Sequence, residues 1–333
     1  MVAVAKHRPH TTRNESDEPN TTTAATSTHS VGRHRAAPGP EGLSVWATAQ
    51  STGPIQRRGR YVRESVQHPA RMLPAIAAHA VTAYTTPGDL VLDPMCGIGT
   101  TLVEAIHAGR DAIGVEYESR WSDIADANIK HAHTQGATGR AGVIRGDATS
   151  LLSLVPAALT GQVALVVTSP PYGPTVHGLV RPGTDGVAKF ANAYNDGTDR
   201  GNLAYRDLTG LADGFAQILA GCHTLLRPGG VVVVTARPWR KHGELVDLPS
   251  AVIGAGIRAG LIPVDRCVAL LAAVRDGRLV ARPSFFQLQA VRKARAAGTP
   301  MHLIAHEDVL VFIKSQASGA QYLGDTLGGG VVA

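Results

Sequence analysis

Residues 90–101 read LVLDPMCGIGTT, and this stretch indicates the class of fold. The apolar residues 90–92 predict a buried strand, and residues 100–108 predict a helix that Gly109 ends. A glycine-rich turn between a strand and a helix is typical of open α/β sheets, which bind ligands beyond the carboxyl ends of their strands. Gly97 and Gly99 permit dihedral angles and close backbone approaches that a side chain would block.

The alternation of strands and helices continues on both sides of this stretch. Continuous apolar strands separated by helices predict one doubly wound α/β domain with a mostly parallel, seven-stranded sheet. No helix is strongly indicated between the last two strands, so a hairpin-like return is expected there. After the strand at 90–92, the further strands are predicted at 112–115, 142–147, 163–167, 231–235, 262–273 and 309–313. The other helices are predicted at 69–86, 119–134, 207–226 and 247–259.

Composition divides the chain into parts. Residues 1–42 are rich in Thr, Ser, His and Pro and poor in large apolar residues, which predicts a disordered tail. A basic lead-in at 43–67 precedes the α/β domain at 68–315, and a flexible tail is expected at 316–333. Within the domain, we expect a mobile loop at 175–205 and a basic insertion at 275–306.

Charge and cysteine usage narrow the class of protein only moderately. The net charge of +6 and the pI of about 9.4 suit a nucleic-acid partner, and they suit an ordinary basic enzyme equally well. Three cysteines without a CxxC pair favour reduced thiols and a cytoplasmic location.

No apolar run approaches the roughly 20 residues that span a bilayer, so no membrane partner is expected. His131 and His133 lack further ligands at metal-binding spacing, so no metal is expected either.

Three acids accompany the predicted strand ends. Glu116 ends the second strand and could accept hydrogen bonds from the hydroxyls of a ribose, or it could simply be solvated. Asp147 ends the third strand, where it could meet the amine of an adenine ring or cap a helix. Asp93 lies where a pyrophosphate would be repelled and a cationic ligand attracted. The lack of a third loop glycine and of a Gly-Lys-Ser/Thr sequence disfavours NAD and ATP.

Ser169-Pro170-Pro171-Tyr172 follows the fourth predicted strand and indicates the chemistry. Two consecutive prolines lack N–H donors and fix φ, so this loop presents carbonyl oxygens in a stiff frame. The Ser169 hydroxyl and the Pro170 carbonyl could both point at an amine, and Tyr172 could stack on an extruded base. The alternative is a Pro-Pro turn next to a core tyrosine.

Three segments together resemble the amino-methylating DNA methyltransferases, the cytosine-N4 and adenine-N6 family. They are His68-Pro69-Ala70-Arg71-Met72, the loop from Asp93 to Thr101, and Ser169 to Tyr172. The resemblance covers residues 68–315 and implies a Rossmann-like methyltransferase sheet, S-adenosyl-L-methionine as the cofactor, and direct methyl transfer to a flipped base. A serine before the two prolines resembles the cytosine-N4 group, whereas Asp or Asn is more usual for adenine-N6. Methylation of carbon 5 is disfavoured because no Pro-Cys pair occurs.

The resemblance and the basic clusters assign candidate roles to particular residues. The expected catalytic residues are Ser169, Pro170, Pro171 and Tyr172. The expected cofactor-binding residues are His68, Met72, Asp93, Pro94, Met95, Cys96, Gly97, Gly99, Thr100, Thr101, Glu116, Tyr117, Asp147 and Ala148. The expected nucleic-acid contacts are Arg57, Arg58, Arg237, Arg240, Lys241, Arg292, Lys293 and Arg295.

Two other functions fit parts of the sequence. The loop from Asp93 to Thr100 and Pro170-Pro171-Tyr172-Gly173 also resemble the tRNA guanine-N2 methyltransferases. We favour DNA because the residues before His68 leave no room for an RNA-capturing domain. A catalytically silent nucleic-acid-binding protein is the remote alternative, and the intact motifs argue against it. The sequence leaves open a restriction endonuclease partner and predicts no oligomeric state.

Overall fold

The computed structural model describes residues 42–171, 179–183, 186–190, 203, 206–241, 244–283 and 285–316. The predicted N-terminal tail lies outside these residues except for Gly42, and the predicted C-terminal tail except for Gln316. Most of the predicted mobile loop at 175–205 also lies outside them, and so does Tyr172. Within the described part of the chain, no helix is both long and apolar enough to cross a lipid bilayer.

Strands and helices alternate through the described chain. The strands are β1 (Val45–Trp46), β2 (Leu90–Asp93), β3 (Asp111–Glu116), β4 (Ala141–Arg145), β5 (Val163–Thr168), β6 (Leu179–Gly183), β7 (Gly186–Phe190), β8 (Leu226–Ala236), β9 (Trp239–Lys241), β10 (Glu244–Val246), β11 (Ile262–Leu270), β12 (Ala273–Arg275), β13 (Arg278–Val280) and β14 (His306–Ile313). The α-helices are α1 (Gly53–Arg57), α2 (Pro74–Tyr84), α3 (Thr100–His107), α4 (Ser119–Thr134), α5 (Leu151–Leu154), α6 (Leu208–Leu225), α7 (Leu248–Arg258) and α8 (Phe285–Ala296). Short 3-10 helices occur at Arg63–Gln67, Ala148–Ser150 and Ala157–Leu159.

The central sheet is mostly parallel, which confirms the predicted fold class. Its strand order is β1-β11-β14-β8-β5-β2-β3-β4. The strands from β8 to β4 pair in parallel, whereas β14 pairs antiparallel with both β8 and β11, as the predicted hairpin-like return requires. The sheet has eight strands and not seven, because Val45 and Trp46 pair with β11 at its outer edge. A strand of two residues is too short to give a periodic signal in the sequence.

Apolar side chains cover both faces of the sheet, which explains the continuous apolar strands. On one face, residues of α6 and α7 such as Phe215 and Val252 pack against Val232. On the other face, residues of α2 and α3 such as Ile76 and Leu102 form a second core. Cys96, Cys222 and Cys267 are buried and form no disulfide, as expected for reduced thiols.

Three sequence predictions need correction. The helix predicted at 69–86 begins only at Pro74, whose missing N–H suits the first turn, while Leu73 is extended. The basic insertion at 275–306 contains β13 and α8, although no helix was strongly indicated there. The loop predicted at 175–205 contains a hairpin, in which β6 pairs with β7 from Leu179↔Phe190 to Gly183↔Gly186.

Candidate active site

A cleft lies at the carboxyl ends of β2, β3, β4 and β5, where the sequence predicts a ligand site. Its empty volume, including the open mouth, is about 980 Å³. The structure brings together in its lining almost every residue that was assigned to the cofactor. They are His68, Met72, Asp93, Pro94, Met95, Cys96, Gly97, Thr100, Thr101, Glu116, Tyr117, Asp147 and Ala148. Gly99 does not line the cleft but is the residue from which α3 begins.

Gly97 and Gly99 each occupy a position in the glycine-rich loop that disfavours a side chain, and each has a different close neighbour. Gly97 and Gly99 have φ values of +54° and +76°, which residues with side chains rarely adopt. A Cβ at Gly97 would lie 3.1 Å from Nε2 of His68, and a Cβ at Gly99 would lie 3.2 Å from the Cβ of Ala125. The loop is therefore a tight turn pressed between the 68–72 segment and α4.

Asp93 is a buried acid at the start of this loop. Its side chain is 4% exposed, and it accepts hydrogen bonds from the Met95 amide at 3.1 Å and the Thr101 hydroxyl at 2.7 Å. Burial raises the pKa of this carboxyl to about 6, against the opposing effect of these hydrogen bonds. A buried carboxylate without a basic partner suits a cationic ligand, because such a ligand would offset its desolvation.

Glu116 joins the end of β3 to the glycine-rich loop. Its two carboxylate oxygens accept hydrogen bonds from the amides of Gly97 at 2.8 Å and Glu118 at 2.9 Å. Burial raises its pKa to about 7, although both hydrogen bonds favour the ionised form. Each carboxylate oxygen keeps a further lone pair, so Glu116 can hold the loop and still accept hydrogen bonds from hydroxyl groups in the cleft.

The extended segment at 68–72 forms one wall of the cleft. The Ala70 amide donates to Nδ1 of His68, so the neutral ring carries its proton on Nε2, the atom nearest Gly97. The ring also makes an edge contact with Trp121, with centroids 4.7 Å apart.

Arg57 supports this wall and does not project into solvent. Its guanidinium donates to the carbonyl of Met72, and burial lowers its pKa to about 10. Arg57 thus supports the cleft, and its predicted contact with nucleic acid stays a prediction. Arg58, its neighbour in the chain, is exposed and keeps the predicted role as a proposal.

The Ser169 loop reaches the same cleft from β5. Ser169, Pro170 and Pro171 all line it, and Pro170 is buried. The loop follows Thr168, whose buried side chain interacts with the Asp93 carboxyl. The structure thus places three of the four expected catalytic residues beside the cofactor candidates, while Tyr172 lies outside the described residues.

Asp147 caps a short helix and also lines the cleft. Its side chain caps the 3-10 helix Ala148–Ser150 by accepting a hydrogen bond from the Thr149 amide at 2.9 Å. The same residue is exposed and lines the cleft, and its contact with an adenine amine stays a prediction.

Sequence reasoning missed several residues of the cleft. Arg71 is the most informative, because it is the basic side chain of the wall and donates to the Ser65 carbonyl at 2.8 Å. Its place in His68-Pro69-Ala70-Arg71-Met72 was the available signal. Most of the others are apolar, and no motif marks them. The missed residues are Ala70, Arg71, Ile98, Glu118, Gly146, Leu203 and Ile218.

The remaining basic candidates divide between two places near the carboxyl edge of the sheet. Arg237 and Arg240 follow β8, and Arg240 is exposed. Lys241 ends β9. Three exposed basic residues, Arg292, Lys293 and Arg295, lie on α8, before the start of β14. Among the residues that the structure describes, no cluster of His, Cys, Asp and Glu is arranged to hold a metal ion.

Residues 1–127 match the family model described as DNA methylase. The matched range includes His68 to Met72 and the glycine-rich loop, and it ends before Ser169. Over 107 residues the chain is 34% identical to tRNA (guanine(10)-N2)-dimethyltransferase from Methanocaldococcus jannaschii, a match that covers 32% of this chain and 30% of the relative. Over 54 residues it is 39% identical to Type II methyltransferase M.MthZI from Methanothermobacter thermautotrophicus, which covers 16% of this chain and 15% of the relative. The matches thus span less than a third of these relatives' lengths.

Solved structures give weaker likenesses. TrmN from Thermus thermophilus has a TM-score of 0.45 and 17% identity, covering 78% of this chain and 53% of that one. An S-adenosylmethionine-dependent O-methyltransferase from Thermotoga maritima has a TM-score of 0.43 and 12% identity, covering 77% and 70%. The family match and the Type II relative confirm the resemblance to the amino-methylating methyltransferases. The methylase family match implies S-adenosyl-L-methionine as the cofactor.

Proposed function

We propose that this chain is an S-adenosyl-L-methionine-dependent DNA methyltransferase that modifies an exocyclic amino group of a flipped base. Cytosine N4 is the preferred target and adenine N6 the second. The observation that carries the proposal is the shared cleft, in which Ser169, Pro170 and Pro171 lie with Asp93 and Glu116. The same cavity therefore holds the acids that suit a cationic nucleoside and the loop that suits an amine.

The charges of the cleft fit the cofactor. S-adenosyl-L-methionine carries an ammonium group and supplies, when bound, a sulfonium methyl group to a nucleophile. In our proposal Asp93 attracts the ammonium group and Arg71 the carboxylate of the methionine part. Glu116 accepts hydrogen bonds from the ribose hydroxyls, and Asp147 accepts one from the adenine amine.

The Ser169 loop has the acceptors that an amine needs. The lone pair of an exocyclic amine is delocalised into its ring, so acceptors that pull on the N–H bonds make the nitrogen a better nucleophile. The Ser169 hydroxyl and the Pro170 carbonyl are these acceptors in our proposal. Because neither Pro170 nor Pro171 has an N–H, these two residues offer no backbone donor that would compete for the lone pair. The proton that the amine loses passes through these oxygens to solvent.

DNA and tRNA are the two candidate acceptors. The DNA methylase match over residues 1–127 and the Type II relative support DNA. The tRNA guanine-N2 relative supports the second candidate, and its match extends over more of the chain, 107 residues against 54. We prefer DNA because the family model is built on DNA methylases, and Ser169 favours cytosine as the base. A cytoplasmic location and a restriction endonuclease partner belong to the same proposal.

Transfer assays test this proposal directly. The purified chain is incubated with S-adenosyl-L-methionine labelled on its methyl group and with either unmodified DNA or unmodified total tRNA. We expect label in DNA. Label in tRNA with none in DNA would favour the second candidate, and label in neither would contradict both. A Ser169→Ala and Pro171→Ala double variant serves as the inactive control.

A further inference from the structure

A short exposed hairpin rises from the edge of the sheet that holds the active site. β12 and β13 pair antiparallel from Ala273↔Val280 to Arg275↔Arg278. Asp276 and Gly277 form the tip with φ values of 50° and 70°, as in the tight turns whose twist matches that of their strands. The hairpin follows β11, whose carboxyl end shares an edge with that of β5. Three strand spacings separate β11 from β5, or about 14 Å.

One face of this hairpin is apolar and exposed. Val274 and Leu279 are directly opposite each other, so their side chains share a face. They are 42% and 59% exposed, while on the other face Ala273 is buried and Val280 is 44% exposed. A two-stranded hairpin is marginally stable by itself and gains no stability from apolar side chains in water. A paired apolar surface on such an element therefore indicates a contact with a partner.

Hydrogen bonds to the lead-in segment hold the hairpin near its tip and just beyond its base. Next to the tip, the Arg275 guanidinium donates to the side-chain oxygen of Gln50 at 2.7 Å and to its carbonyl at 2.6 Å. The Arg282 guanidinium, just beyond β13, donates to the Ala49 carbonyl at 2.9 Å. The hairpin is therefore held at both ends.

The charged residues of the segment that contains the hairpin favour a polyanion as its partner. From residue 273 to residue 306, Asp276 is the one acidic residue of the sequence. The exposed basic residues of this segment include Arg278 of the hairpin and Arg292, Lys293 and Arg295 of α8. An apolar pair beside Arg278, in a segment with one acidic residue, matches the chemistry of duplex DNA, which offers phosphates outside and stacked bases inside.

We propose that Leu279, supported by Val274, is a wedge that enters the base stack of duplex DNA beside the nucleotide that reacts at Ser169. This inference rests on the proposed function and names the form of DNA that the site takes. A base that leaves the duplex opens a gap, and closing that gap with an apolar side chain offsets part of the unstacking free energy. Arg278 and the basic residues of α8 contact the flanking phosphates.

Steady-state methyl transfer to native duplex DNA tests the wedge. The wedge acts after the DNA has bound, so Leu279→Ser should lower kcat about tenfold and change KM less than twofold. Leu279→Met should keep the wild-type kcat because it keeps a long apolar side chain. Ile257→Ser is the matched control, since Ile257 is 55% exposed and lies at the far end of α7. On heat-denatured DNA, Leu279→Ser should match the wild-type rate.

The possible results separate this inference from the proposed function. An unchanged kcat on native DNA, or a rise in KM alone, would overturn the wedge, because the hairpin would then be no more than a binding surface. A fall in kcat that comes with a lower melting temperature of the variant would also overturn it. Absence of transfer by the wild-type protein would reject the proposed function and the wedge together, before any variant is compared.

Discussion

The Glu116 carboxylate accepts a hydrogen bond from the Gly97 amide at 2.8 Å, so the acid that ends β3 fixes the loop that follows β2. The sequence suggested each of these residues as a separate contact to a ligand. In the structure they form one unit, because the other oxygen of Glu116 accepts from the Glu118 amide. Changes at either residue should therefore affect the shape of the cleft as well as its contacts.

The contribution of Asp93 and Glu116 to the stability of the ligand-free protein should fall as the pH rises. Burial raises the pKa of Asp93 to about 6 and that of Glu116 to about 7, above the unfolded values of 3.8 and 4.5. A raised pKa contributes stability below the unfolded pKa, and this contribution is lost as the pH rises through the folded pKa. We expect Glu116→Gln to remove a loss of roughly 1–3 kcal/mol between about pH 4 and about pH 7. Denaturant titrations at several pH values measure this loss, and equal losses in both proteins would contradict the expectation.

Asp93 and Ser169 should affect different steps. We expect Asp93→Asn to weaken cofactor binding about tenfold or more, because a buried charge that attracts the ammonium group is removed. Ser169→Ala should leave the cofactor Kd unchanged and lower kcat about 100-fold, as should Pro171→Ala and Tyr172→Ala. Calorimetry with S-adenosyl-L-methionine and transfer assays measure the two quantities. If Ser169→Ala lost cofactor affinity as strongly as Asp93→Asn, the proposed division of roles would be wrong.

Gly99→Ala should destabilise the fold by about 1–3 kcal/mol. Its φ of +76° disfavours a side chain, and the added Cβ would lie 3.2 Å from the Cβ of Ala125. Gly142→Ala is the matched control, since Gly142 has nothing within 4 Å of an added Cβ and no positive φ. Urea denaturation of both variants gives the comparison. Equal stability of the two variants would mean that the loop adapts to a side chain at Gly99.

The basic residues of α8 should control the salt dependence of DNA binding. Each phosphate contact contributes about 0.9 to the slope of log affinity against log salt. Replacing Arg292, Lys293 and Arg295 with Gln should therefore reduce this slope by about 2–3. Arg140→Gln is the control, because Arg140 is exposed and precedes β4 at the opposite edge of the sheet. Fluorescence anisotropy with duplex DNA at several salt concentrations measures the slopes, and equal slopes for all three proteins would remove α8 from the interface.

Periodicity predicted the elements that are long and packed on one side. The predicted helix at 119–134 coincides with α4, and the helix predicted at 247–259 differs from α7 by one residue at each end. Periodicity failed where contacts with the rest of the fold, and not a repeating apolar pattern, determine the local conformation. β1 has two residues, and the 69–73 segment is apolar enough for a helix but is held extended against the glycine-rich loop.

The motifs predicted polar residues that line the site, but few of the residues that hold them in place. Asp93, Glu116 and Ser169 were found because their chemistry requires particular residue types at strand ends. The supporting role of Arg57 was missed because its charge is visible in the sequence, whereas its hydrogen bond to the Met72 carbonyl depends on the folded chain. Leu203 and Ile218 line the cleft with ordinary apolar side chains that carry no such signal.

The identity of the methylated base tests the central claim most directly. DNA that the purified protein has methylated with labelled S-adenosyl-L-methionine is digested to nucleosides, and the labelled nucleoside is identified by mass spectrometry. The Ser169 loop predicts label on an exocyclic nitrogen, chiefly as N4-methylcytosine, with N6-methyladenine as the second product. Label on carbon 5 of cytosine would contradict it, because that product requires a chemistry other than an amine held by Ser169 and Pro170.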